Sequence, residues 1–249
     1  MVGVGGGVPT NRVGYDIRLG DVVVSTPSDG DGGIFQYDFG KTIQNQGFQT
    51  TGFHDQPPTI LRTACQAIRA RYDTGNHLRD AIDAAFKGGG LTDRYKRPDS
   101  KTDRLYKPEV VHKEGGQSCA VACGDHSSKL VPQPERTGDR EQVAVHYGLI
   151  ASGNSLMKDA LIRDKLAKEK GVLCFEMEAG GLTNHFPCLV IRGICDYSDS
   201  HKNKDWQGYA AMAAAAYAKD LLCIIAPSTV AVEKKISDIL GSSESNLAN

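Results

Sequence analysis

Two stretches decide the reading of this chain: Val172-Leu-Cys-Phe-Glu-Met-Glu-Ala179 and Cys188-Leu-Val-Ile-Arg-Gly-Ile-Cys-Asp196. Each is a short, strongly apolar run of the kind that forms a buried strand, and carboxylates follow each run. Strands are expected over 172–175 and 188–195, with a short helix between them. Ligands of open α/β sheets bind where strands end, which makes Glu176, Glu178 and Asp196 candidate site residues. Two neighbouring carboxylates can accept hydrogen bonds from the vicinal hydroxyls of a ribose. They are equally the acidic first-turn residues that a helix dipole favours. A carboxyl desolvated at a strand end is pushed toward its protonated form and can hand a proton to a leaving group. A plain turn aspartate is the alternative for Asp196.

Outward from these runs, strands and helices alternate. A strand is expected over 143–151, then an amphipathic helix over 155–170 with Asn154 as cap and Gly171 as stop. An Ala-rich helix follows over 205–225, and a weak helix precedes the Ser/Asn-rich end. Toward the N-terminus, Asp21-Val-Val-Val-Ser25 reads as a buried strand, and 34–39 and 48–53 as two more. Pro57-Pro58 opens a helix to residue 72 with Ile60, Leu61, Ala64 and Ile68 on one face, and a second helix covers 77–86. The alternation predicts a three-layer α/β/α sandwich on a central mixed sheet, without internal repeats. From 88 to 138 the chain is polar, charged and aperiodic, the expected pattern of a mobile functional loop. Its Arg94, Lys96 and Arg97 are candidates to hold a phosphate tail. Met1-Val-Gly-Val-Gly-Gly-Gly-Val-Pro9 reads as a glycine-rich turn whose backbone can approach a sugar or an anion closely.

The 249 residues suffice for one α/β domain, and a net charge of −1 leaves no footprint for nucleic acid or an anionic membrane. No apolar run approaches the roughly 18 residues of a membrane span, and the first residues lack the pattern of a signal peptide. Seven cysteines, an odd number lying mostly in apolar surroundings, point to reduced thiols and a cytoplasmic setting. His112, Cys119, Cys123 and His126 are possible zinc ligands, although their spacing fits no zinc finger and the main site calls for neither metal nor cofactor.

The order of motifs resembles that of the purine nucleoside phosphorylase/uridine phosphorylase superfamily. A Gly-rich segment is followed by Asp21-Val-Val-Val-Ser25, Ile150-Ala-Ser-Gly-Asn154, Phe175-Glu-Met-Glu-Ala179 and Ile191-Arg-Gly-Ile-Cys-Asp196. His146-Tyr-Gly-Leu-Ile-Ala-Ser-Gly-Asn154 and Asp199-Ser-His-Lys-Asn-Lys-Asp-Trp-Gln-Gly208 are most similar to the nucleosidase domain of fungal NACHT- and ankyrin-repeat receptor-like proteins. The resemblance covers the chain to about Pro227 and sets the remainder, 228–249, apart as a helix and tail. It implies an enzyme that breaks the N-glycosidic bond of a purine nucleoside or nucleotide, adenosine and ATP included. Glu178 would bind the ribose hydroxyls, Met177 would pack beneath the sugar, and Glu176 would add a second sugar contact. Phe175 and Gly5 would line the site, with Ser152, Gly153 and Leu156 around the base. Asp196 would protonate the purine at N7. Met1 and Val4 stand where phosphorylases carry Arg and Ser to hold phosphate, so hydrolysis is expected, with phosphorolysis and an inactive nucleoside-sensing module as alternatives. The resemblance further implies a homo-oligomer within a larger multidomain receptor. It also implies additional strands ahead of Met1, so that the domain is expected to be N-terminally incomplete.

Overall fold

The glycine-rich opening is a strand, not a turn. In the computed structural model, which describes residues 1–9, 15–28, 30–75, 77–88, 92–113, 117–136, 143–202 and 204–230, Val2–Gly7 forms β1. Glycine has no side chain to pack and weakens a strand taken alone; the reason it stands here lies on the strands alongside. A Cβ on Gly5 would fall 2.6 Å from Cys174 Sγ and 2.9 Å from the Phe175 carbonyl, and one on Gly3 would run into the Arg192 guanidinium. The side chains of the neighbouring strands occupy the space that β1 leaves free.

The remaining strands are β2 (Val22–Ser25), β3 (Ile34–Gln36), the two-residue pair β4 (Gly40–Lys41) and β5 (Gln49–Thr50), β6 (Val145–Ser152), β7 (Val172–Glu176) and β8 (Ile191–Asp196). The helices are α1 (Thr59–Tyr72), α2 (His77–Lys87), α3 (Cys119–Ala122), α4 (Ala160–Lys170), α5 (Ala179–Leu182), α6 (Asp205–Ile224) and α7 (Pro227–Val230). The main sheet runs β2-β8-β1-β7-β6-β3 and is mixed. β1 is parallel to β8 and antiparallel to β7, while β6 is parallel to β2, β3 and β7. Because β2 bonds to both β8 and β6, the sheet curls until it closes on itself, with β3 outside on β6.

Two hydrophobic cores pack helices against the sheet. The larger joins Val22, Val23, Val24, Ile191 and Ile194 to Ile68 of α1, Ile82 of α2 and Trp206, Ala213 and Tyr217 of α6. The smaller packs Phe35, Leu149, Ala151, Val172 and Phe175 with Leu166 and Ala167 of α4. α6 lies close on β8: a Cβ on Gly193 would enter the carbonyl of Ala210, which is backbone and cannot move aside. We expect Gly193→Ala to cost about 1–3 kcal/mol, the usual scale of overpacking; chemical denaturation of the variant measures it, and an unchanged midpoint would contradict this packing.

Some boundaries differ from the sequence expectation. The helix expected from 155 begins at Ala160, capped by the Asp159 carboxylate, which accepts from the amides of Leu161 and Ile162. Residues 154 and 155 are drawn elsewhere, since Asn154 donates its amide to Asp38 and the Ser155 carbonyl accepts from Tyr37. Gly171 ends the helix in the left-handed conformation, as expected. The strands expected over 34–39 and 48–53 shorten to Ile34–Gln36 and Gln49–Thr50. Of the helix and tail expected over 228–249, residues 231–249 lie outside the described residues.

The segment expected as a mobile loop over 88–138 is, where described, largely exposed and anchored to the rest of the fold at a few points. Leu105 and Tyr106 are buried, Trp206 Nε1 donates to Thr102 Oγ1 at 3.0 Å, and Arg136 donates to both oxygens of the wholly buried Asp21. These anchors are too widely spaced to produce a period in the sequence. No helix among the described residues is long and apolar enough to cross a membrane.

Candidate functional site

The site forms around the glycine strand. Gly6 of β1 pairs with Phe175 of β7 on one side and with Asp196 of β8 on the other. Phe175 and Asp196 therefore stand two strands apart, roughly 10 Å between backbones at ordinary strand spacing. β7 and β8 run in opposite directions on either side of β1, so Glu176 and Glu178 lead toward Arg192 and away from Asp196.

At the β7 end the two glutamates divide into different tasks. The Glu176 side chain is fully buried, and its carboxylate accepts from the amides of Glu178 and Ala179, so it caps α5 from within. It also pairs with Arg192 of β8. Arg192 Nη2 reaches Glu178 Oε2 at 2.7 Å as well, while the Glu178 side chain stays 58% exposed. One buried guanidinium thus fixes a structural carboxylate and an accessible one. Glu176 is placed to orient Arg192 and the turn, and Glu178 is the one left open to a ligand. Arg192 is a candidate site residue that reading the sequence did not single out. An arginine inside an otherwise apolar strand was the available sign, because a buried arginine needs carboxylate partners.

Asp196 is buried, as expected, but in a polar seat. Its Oδ1 accepts from the Ser198 amide at 2.9 Å, and its Oδ2 lies 3.3 Å from Lys202 Nζ. Ser198 holds a left-handed backbone (φ 53°), and its buried hydroxyl finds no partner.

The other expected site residues part into two groups. Met177 (42% exposed) and Leu156 (47% exposed) are accessible. Phe175, Ser152, Gly153 and Gly5 are committed to the fold. Phe175 lies in the smaller core against the Tyr37 ring, Ser152 Oγ accepts from the Gly180 amide, and Gly153 lies beneath the same Tyr37 ring. Gly5 makes room for Cys174. Arg94, Lys96 and Arg97 line a separate cleft of about 370 Å³ with Lys204, Asp205 and Gly208 at the start of α6. There Lys96 pairs with Asp93, and Arg97 stands over the rings of Trp206 and Tyr209. A cleft of about 1210 Å³ opens beside Tyr15, Tyr106, Tyr147 and Arg163; like the smaller one, it is not lined by Glu176, Glu178 or Asp196. Of the four possible zinc ligands, His112 Nδ1 and Cys123 Sγ lie 3.3 Å apart. Among the described residues no three His, Cys, Asp or Glu side chains converge as they stand on a point that could hold a metal.

Tyr197, next to Asp196, is tied to the packed loop: its hydroxyl donates to Asp103 Oδ1 at 2.6 Å and accepts from Gln133. Burial pushes the Asp103 carboxyl up to about 6, against the Tyr197 hydrogen bond, which lowers it. A carboxyl whose folded value exceeds its unfolded one stabilises most when protonated, and that contribution fades as pH rises. The contribution of Asp103 to stability should therefore fall between pH 3.8 and about 6, and Asp103→Asn should remove it. Melting curves of both proteins across that window test this; parallel profiles would contradict it.

Comparison with known proteins bears on what this arrangement serves. No protein-family profile matches the chain. It is 45% identical over 230 residues to a nucleotide-binding leucine-rich repeat (NLR)-like protein of Hyaloscypha variabilis, across 92% of this chain and 22% of that protein. It is 34% identical over 85 residues to a death domain-containing ATP nucleosidase of Amphimedon queenslandica, across 31% of this chain and 16% of that protein. The chain thus spans about a fifth or less of the length of these relatives. Among solved structures it is similar to the 5′-methylthioadenosine/S-adenosylhomocysteine nucleosidase of Neisseria meningitidis, with 18% identity and a TM-score of 0.44, over 90% of this chain and 66% of that one. The two sequence relatives, an NLR-like protein and an ATP nucleosidase, are of the kind that the order of motifs resembles.

Proposed function

We propose that this chain, a homologue of an NLR-like protein and of an ATP nucleosidase, hydrolyses the N-glycosidic bond of a purine nucleoside or nucleotide, releasing the free base. ATP is the favoured substrate, given the name of the second relative. The observation that carries this reading is the pairing of Gly6 with both Phe175 and Asp196. It puts β7, which leads into Glu178, and β8, which carries the buried Asp196, on either side of a glycine-rich strand.

In this mechanism Glu178 accepts hydrogen bonds from the ribose hydroxyls. Its charge, held in place by Arg192, stabilises the positive charge that develops on the sugar as the bond from C1′ to the base breaks. Asp196 delivers a proton to N7, so the purine departs neutral. Water adds at C1′ and releases a proton to solvent, from which the Asp196 carboxylate is reprotonated, leaving ribose or its phosphate. Met177 and Leu156, both exposed, are the residues this reading assigns to the sugar and the base. The same reading makes the chain one domain of a larger cytoplasmic, oligomeric receptor, in which removal of ATP would be the output.

Water is the acceptor in this reading because the positions of the phosphate ligands are spent on the fold: Val4 lends its carbonyl to Arg192, and the Met1 sulfur lies 3.6 Å from Arg192 Nη2. Base release should not depend on phosphate. Chromatography of products from ATP, AMP, adenosine, inosine and guanosine, with and without phosphate, tests both claims. Ribose 1-phosphate formed at a rate proportional to added phosphate would establish phosphorolysis instead, and an inert chain would leave a sensing module.

A further inference from the structure

Beside the Asp196 turn, the packed loop brings together a set of donors that the reaction does not use. His201 is buried and stacks on the Tyr106 ring with centroids 3.9 Å apart. Its Nδ1 faces Asp199 Oδ2 at 3.3 Å, and its Nε2, enclosed in protein, has no partner. A histidine oriented by a carboxylate through one nitrogen, with the other left over, has the arrangement of a metal ligand with its supporting carboxylate. Arg163 stands 4.0 Å behind Asp199 and completes the support.

The other donors come from the loop. The His112 ring stands at 64° to His201 with centroids 6.0 Å apart, and its Nδ1 lies 3.3 Å from Cys123 Sγ. Nitrogen and sulfur ligands on one tetrahedral zinc lie roughly 3.5 Å apart, and two such imidazole centroids roughly 5 Å apart. Both separations are within about 1 Å of that geometry. Cys119 precedes Cys123 by one turn on and just beyond α3, a C-x₃-C spacing of the kind zinc sites use. The Tyr106 hydroxyl, whose ring covers His201, bonds to the carbonyls of Cys119 and Gly124, and Ser200 Oγ accepts from the His112 amide.

We propose that His112, Cys119, Cys123 and His201 bind one zinc ion, which clamps the loop to the turn that carries Asp196. His201 takes the place that the linear spacing suggested for His126. The side chains as they stand do not converge on one point, so metal binding requires them to rotate into a common site. Both thiols lose their protons on binding, so two thiolates balance the cation.

Protein purified without chelators should contain about one zinc per chain. Substituting cobalt should produce the thiolate-to-metal absorption of a tetrahedral site with two sulfurs. His201→Gln and Cys123→Ser should lower zinc content at least about tenfold, with a smaller loss for Asp199→Asn and none for His126→Gln. A wild-type chain that takes up no zinc in competition with a chromophoric chelator would overturn the proposal. So would His201→Gln retaining wild-type zinc, or His126→Gln losing it. The cobalt spectrum is read on the wild-type chain and stands even if a variant fails to fold. None of these readouts requires the chain to cleave a nucleoside.

Discussion

Asp196→Asn should abolish release of base from ordinary purine nucleosides while sparing a substrate whose leaving group needs no proton, such as a nitrophenyl riboside. A purine anion is a poor leaving group, and a positioned acid contributes about 10²–10⁴-fold to such a step. The structure makes the substitution mild for the fold. Asparagine keeps an oxygen for the Ser198 amide and gives up the half-exposed contact to Lys202 and the weak bond accepted from the Cys195 thiol. Turnover of adenosine or ATP should therefore drop by two orders of magnitude or more, with little change in melting temperature. If both substrates lose activity together and the melting temperature falls, Asp196 is a turn residue and the proton comes from elsewhere.

Glu178→Gln should lose about 10–10²-fold in turnover and leave the fold intact, since the amide keeps the size of the side chain and removes the charge that faces the sugar. Glu176→Gln gives the contrasting result. Glu176 is buried, caps α5 and supplies the enclosed partner of Arg192. Without its charge, Arg192 keeps only an exposed carboxylate, and removing one partner of a buried pair costs about 3–5 kcal/mol. Glu176→Gln should thus lower the melting temperature sharply, whereas Glu178→Gln lowers turnover alone. Wild-type turnover in Glu178→Gln would remove that residue from the site, and two equally stable variants would refute the division of tasks between the glutamates.

What could be read in the linear chain follows from what physical chemistry writes locally. The β-branched run of β2, the apolar runs of β7 and β8, and the amphipathic stripe of α1 announce themselves, because propensity and periodicity act over a few residues. So did the carboxylates at the strand ends, since where a strand stops is visible in composition. The layered α/β architecture follows from the alternation of these elements. Tertiary structure decided the rest. β1 reads as a turn because glycine carries no strand preference; it is a strand because Cys174, Arg192 and Ile194 occupy the volume its side chains would need. Glu176 and Glu178 look equivalent in sequence and differ because the Glu176 carboxylate turns into the fold onto the amides of Glu178 and Ala179, while that of Glu178 stays exposed, both meeting Arg192. His201 lies far along the chain from His112, Cys119 and Cys123, and only packing of the loop against the Asp196 turn sets it beside them. Each of these outcomes depends on filling space between segments distant in sequence, a condition no local pattern records.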